Sequence, residues 1–126
     1  LLAKIEDPQK EMADALARYT NDPVGFVAWA FPWEAPETEL ERFKGPEQWQ
    51  LTVLEGIRDG LLTANQAIQL AIASGHGVGK SALVAWIILW SLTTFEDCRG
   101  VVTANTETQL KTKTWAELTK WHRLFM

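Results

Sequence analysis

The sequence is short of cysteine, of surplus positive charge and of long apolar runs, and each shortage excludes a class of protein. Its one cysteine, Cys98, cannot close an intrachain disulfide, so nothing argues for an oxidising compartment. The longest apolar run, Ala82 to Trp90, covers nine residues, well short of the ~20 that a membrane-spanning helix needs. No basic stretch followed by an apolar core opens the chain, so no secretory signal is visible. Lys+Arg number 12 against 16 Asp+Glu, a net charge of -4, which argues against a dedicated nucleic-acid clamp with its basic face. The expectation is a cytoplasmic chain of one-domain size, with no membrane association.

What the chain does have is an ordinary globular balance, 47% hydrophobic and 22% charged over 126 residues, unlike a disordered tail or a collagen repeat. The charge is uneven: residues 1–60 carry 6 basic and 12 acidic side chains, residues 61–126 carry 6 and 4. Seven tryptophans, at 29, 33, 49, 86, 90, 115 and 121, bring enough apolar area to anchor a core. Some of them could instead mark a surface that a partner covers.

Helical signals fill the first half. Asp7 and Pro8 suit the cap and first position of a helix along which Met12, Ala15, Leu16 and Tyr19 share a stripe. Asn21-Asp22-Pro23 opens a second helix through Phe26, Val27, Trp29 and Ala30, which Pro32 ends. Residues 32–46, with four acids and three prolines, read as a loop. A third helix runs from Pro46 to about Leu62, with Trp49, Val53, Leu54, Ile57 and Leu61 on one face.

The second half reads differently. Residues 67–73, Ala-Ile-Gln-Leu-Ala-Ile-Ala, predict a covered strand. Ala82 to Leu92, apolar nearly all round, predicts a buried helix on which Trp86 and Trp90 share a face. Val101 to Asn105 predicts a second strand, and Thr106 or Thr108 a cap for a last helix whose face holds Leu110, Thr114, Leu118, Trp121 and Phe125. The fold class expected is α/β: N-terminal helices (1–45), then a partial βαβα unit with an incomplete parallel sheet (46–126).

Between the first strand and its helix lies Ser74-Gly75-His76-Gly77-Val78-Gly79-Lys80-Ser81. A phosphate-binding loop needs glycines so that successive backbone N–H groups can turn towards an anion at a helix N-terminus. It needs a lysine for the β- and γ-phosphates and a neighbouring hydroxyl for Mg²⁺. Gly75, Gly77 and Gly79, Lys80 and Ser81 supply these parts, and Ser74 stands where the strict pattern has glycine. The bland reading is a glycine-rich turn with Lys80 in water. His76 has two readings, a donor to the γ-phosphate or an exposed loop histidine. His122 has no partner pattern. The pair Glu96-Asp97 reads as a solvated turn at a helix end, so the carboxylate that completes a Mg²⁺ shell is not found in this chain. Two strands do not make a sheet that stands alone, so the chain reads as the front portion of a larger enzyme, inactive by itself.

The run IASGHGVGKSALVAWIILW, followed by VVTANTETQLKTKTWAELTKWHRL and preceded by GFVAWAFPWEAPETELERFKGPEQWQLTVL, resembles the ATPase domain of bacteriophage large terminase subunits, the motors that package viral DNA. The resemblance covers roughly residues 21–124. It implies ATP and Mg²⁺ as cofactors, with Ser74, Gly75, Gly77, Val78, Gly79, Lys80 and Ser81 around the phosphates. The family tolerates a non-glycine opening residue, as Ser74 is here. It places an arginine where His76 stands, which lifts His76 as a catalytic candidate beside Lys80. It also implies that Gln50, after Trp49, reads adenine, since an amide donates and accepts at once; the bland reading is a glutamine in a helix's first turn beside a core indole.

The partners implied by the resemblance are double-stranded DNA, a portal protein, a small terminase subunit and further copies of the chain, at the procapsid portal in the host cytoplasm. The family's acidic strand-end motif, coupling motif and nuclease domain have no counterpart here. Two other readings stay open, a helicase-like P-loop NTPase fragment and a non-catalytic interaction fragment whose residues 1–45, with Trp29 and Trp33, dock a partner. Thr103 to Thr106 could sense nucleotide, touch DNA or simply cap a helix.

Overall fold

A computed structural model describes residues 7–63, 68, 70–71, 79–103 and 106–125. Its first helix, α1 (Pro8–Arg18), starts where the local chemistry directs: the Asp7 carboxylate accepts from the Gln9 N–H at 3.0 Å, and Pro8 occupies the first turn. The same device opens α2 (Pro23–Ala30), where Asp22 accepts from the Gly25 N–H at 2.9 Å. Turns then carry the acidic segment to α3 (Gln48–Gly60). The longest helix, α4 (Lys80–Thr94), follows the glycine-rich stretch. The Thr106 hydroxyl accepts from the Gln109 N–H at 3.1 Å and starts α5 (Glu107–Gln109), which passes through a π-helical turn, Leu110–Trp115, into α6 (Ala116–Leu124).

The core forms around α4, which packs against α6, α2 and α1. Trp86 and Trp90, one turn apart, are 2% and 4% exposed, as the apolar face of this helix predicts. The Trp90 indole N–H donates to the Tyr19 carbonyl at 2.6 Å, tying α4 to the end of α1. The Trp86 ring meets Trp121 of α6 edge to face with centroids 5.1 Å apart, and Trp33 at 5.9 Å. Phe31 completes the group, 4.9 Å from Trp121. The expected anchoring role of the tryptophans thus holds for these rings, whereas Trp115 is 41% exposed. No helix among the described residues is long and apolar enough to cross a membrane.

The expected parallel sheet is corrected. The described residues are 62% helical and contain no strand. Of the first expected strand, Ile68, Leu70 and Ala71 are described; of the second, Val101 to Thr103; none has regular structure. The remainder of both segments lies outside the described residues. The physical reason is that a lone parallel pair gains little by forming: its ladder is short and both faces need helices over them. Here the helices bury their apolar sides against one another through the indole cluster instead. Val101 is 90% exposed and Leu70 50%, which is what an apolar segment shows when no layer forms on it. For the same reason α4 is not covered all round, since Val84 and Leu92 are 39% and 57% exposed.

Candidate functional site

The expected phosphate-binding residues fall into two groups. Ser74, Gly75, His76, Gly77 and Val78 lie outside the described residues. Gly79, Lys80, Ser81 and Gln50 are described, and the fold brings Gly79 and Gln50 into contact across 29 positions of sequence.

Gly79 is the N-cap of α4, with φ +93° and ψ 18°. That left-handed conformation favours glycine, because a Cβ there collides with the backbone. It also has no room for a side chain: an added Cβ would stand 2.6 Å from Gln50 Nε2. Gly79→Ala is therefore expected to cost about 1–3 kcal/mol through strain alone, read as a lower denaturant midpoint; an unchanged midpoint would mean that the turn is not held this way.

Lys80 and Ser81 follow as the first two residues of α4, Lys80 exposed and Ser81 partly so. The first-turn N–H groups of any helix have no acceptor within it, and at α4 no side chain among the described residues supplies a cap. Three features therefore coincide at this end: the positive end of the helix dipole, an ammonium-bearing side chain and a hydroxyl.

Gln50 sits in the first turn of α3 and is 4% exposed, the one buried polar side chain among the described residues. Its Oε1 accepts from the Glu47 N–H at 2.8 Å, and its Nε2 donates to the Gly79 carbonyl at 3.0 Å. The first of these bonds is half of a reciprocal cap, since the Glu47 side chain caps the same turn. The Trp49 indole is half-buried, packs on the core and donates to Glu47 Oε2 at 2.9 Å.

Next to Gln50 and Gly79 a cavity of about 300 Å³ opens, walled by Trp33, Phe43, Trp86 and Trp121. That volume lies at the lower end of the range for small-molecule pockets. Glu39, Glu47, Glu117 and Lys120 also line it, a predominantly acidic rim. Sequence reasoning did not anticipate this cavity, because its walls come from the 32–46 segment, α3, α4 and α6. The role of Glu47 had a sequence signal, a Glu-x-x-Gln spacing at the head of an apolar stripe.

The other residues singled out are dispersed. Glu96 and Asp97 lie exposed in the turn after α4, and Asp97 has φ 51°, which agrees with a solvated turn. His122 is exposed on α6. Thr106 serves as a helix cap. Comparison of the chain with protein-family models, with curated proteins and with solved structures finds no match.

Proposed function

We propose that the N-terminus of α4 is the phosphate-binding end of an ATP site, and that the chain is the ATP-binding portion of a DNA-packaging motor of the large terminase type. The observation that carries this reading is the left-handed Gly79 turning directly into Lys80 and Ser81 at a helix end that no side chain among the described residues caps. Such an end accepts an anion through backbone N–H groups and the helix dipole. The Lys80 ammonium adds charge-assisted contacts to phosphate oxygens. Bound Mg²⁺ would neutralise phosphate charge, and the Ser81 hydroxyl is the group this reading assigns to it. His76 is the candidate for the γ-phosphate. Double-stranded DNA, a portal protein, a small terminase subunit and further copies of the chain are the partners this reading brings with it.

The test is a thermal shift with ATP and Mg²⁺. A ligand that binds only the folded chain stabilises it by RT ln(1+[L]/Kd), about 2.7 kcal/mol at a hundred times Kd. A rise in melting temperature that grows with ATP concentration is expected; none at millimolar ATP would overturn the proposal. The exposed Val84, Leu92 and Val101 favour a second reading, an interaction fragment. A chain that self-associates in sedimentation and shows no nucleotide shift would support that one.

A further inference from the structure

The resemblance gives Gln50 to the adenine base, but its hydrogen bonds commit it elsewhere. Both ends of the amide are used, Oε1 by the Glu47 N–H and Nε2 by the Gly79 carbonyl. At 4% exposure the amide is buried, and although it borders the cavity its polar atoms are already engaged by backbone. The Gly79 carbonyl is in turn shared, since it also accepts from the Leu83 N–H at 3.1 Å, the first hydrogen bond of α4.

We propose that Gln50 is a positioning residue: it latches the first turn of α3 onto the carbonyl of Gly79 and so fixes the turn from which Lys80 and Ser81 project. This rests on the phosphate-binding reading of α4 for its functional consequence, and on the Gln50–Gly79 contact for its structural one. An amide is the side chain suited to the task. It offers an acceptor to one backbone N–H and a donor to one backbone carbonyl without a charge that burial would penalise. The left-handed conformation of Gly79 is held from outside the helix, by a residue 29 positions earlier in sequence. A latch acts on every ligand that uses the α4 turn, whatever base it carries, whereas a base reader acts on adenine alone.

The two roles separate in one set of measurements on the full chain. Gln50→Glu keeps an acceptor for the Glu47 N–H and loses the donor to Gly79; Gln50→Met loses both. ATP, GTP and inorganic tripolyphosphate, each with Mg²⁺, are titrated against wild type and both variants. Amide exchange at Leu83 is followed in the free proteins, with α6 amides as an internal standard for global stability. The latch predicts that both variants weaken all three ligands by a common factor, about three- to tenfold for one lost hydrogen bond. It also predicts faster exchange at Leu83 while α6 is unchanged. A loss confined to ATP, with tripolyphosphate unaffected, would overturn the latch and return Gln50 to base reading. If wild type binds none of the three, the phosphate reading fails instead; the latch is then decided by exchange, supported by acceleration at Leu83 and overturned by its absence.

Discussion

Trp86→Ala is expected to lower the stability of the folded chain by about 3–5 kcal/mol, the range for truncating a buried large aromatic. Trp86 is 2% exposed, and its ring meets Phe31, Trp33 and Trp121, which come from the end of α2, the following turn and α6. Removing it opens a cavity where those segments converge, and three rigid rings cannot collapse into it. Its indole N–H is buried without an acceptor, so deletion strands no polar partner and the cost is one of packing alone. Trp86→Phe, which keeps a ring and deletes the unsatisfied N–H, is expected to cost distinctly less. Against a total stability of about 5–15 kcal/mol, Trp86→Ala removes a large share. Urea unfolding followed by far-ultraviolet circular dichroism measures it. The exposed Trp115 is the internal control, with a change expected within about 0.5 kcal/mol; equal losses at the two positions would contradict the core described here.

Lys80→Ala is expected to weaken ATP binding by about ten- to a hundredfold, the equivalent of one hydrogen bond between charged groups. The lysine is the first residue of α4, so under the proposed phosphate reading its ammonium and the helix dipole would act on the same anion. Calorimetric titration of wild type and variant with ATP and Mg²⁺ measures the loss, and the melting temperature of the free variant is read alongside it. Ser81→Ala should weaken binding only when Mg²⁺ is present, because its hydroxyl is assigned to the cation. Equal affinities of wild type and Lys80→Ala would sink the phosphate assignment.

The helices were legible because their signals are local. Asp7-Pro8 and Asp22-Pro23 each place a carboxylate one residue ahead of a proline, and each caps the helix that follows. Trp86 and Trp90 share the buried face that their four-residue spacing predicts. The sheet was not predictable in the same way. Residues 67–73 and 101–105 have strand-like composition, but a parallel ladder depends on partners distant in sequence, and composition cannot supply them. Val84 and Leu92 illustrate the same limit on α4: an apolar position says that a residue can be buried, and only its neighbours decide whether it is.

The candidate site was legible in part. Gly79, Lys80 and Ser81 follow from the glycine spacing and the helix after it. The meeting of Gln50 with Gly79 follows from packing, and the Glu47-x-x-Gln50 spacing bears only on the cap of α3. The acidic rim of the neighbouring cavity draws on α3, α6 and the 32–46 segment, so no single stretch of sequence carried its signature.

The π-helical turn at Leu110–Trp115 has a consequence for how the chain can change in length. Its hydrogen bonds run from i to i+5, so each spans one residue more than in an α-helix. Losing one residue there returns the segment to ordinary α geometry and leaves Trp121 aimed at Trp86. The same loss within α4, ahead of Trp86, would swing Trp86 and Trp90 about 100° around the helix axis and off the aromatic cluster. One helix of the pair is thus tolerant of a single-residue deletion just ahead of its key indole, and the other is not.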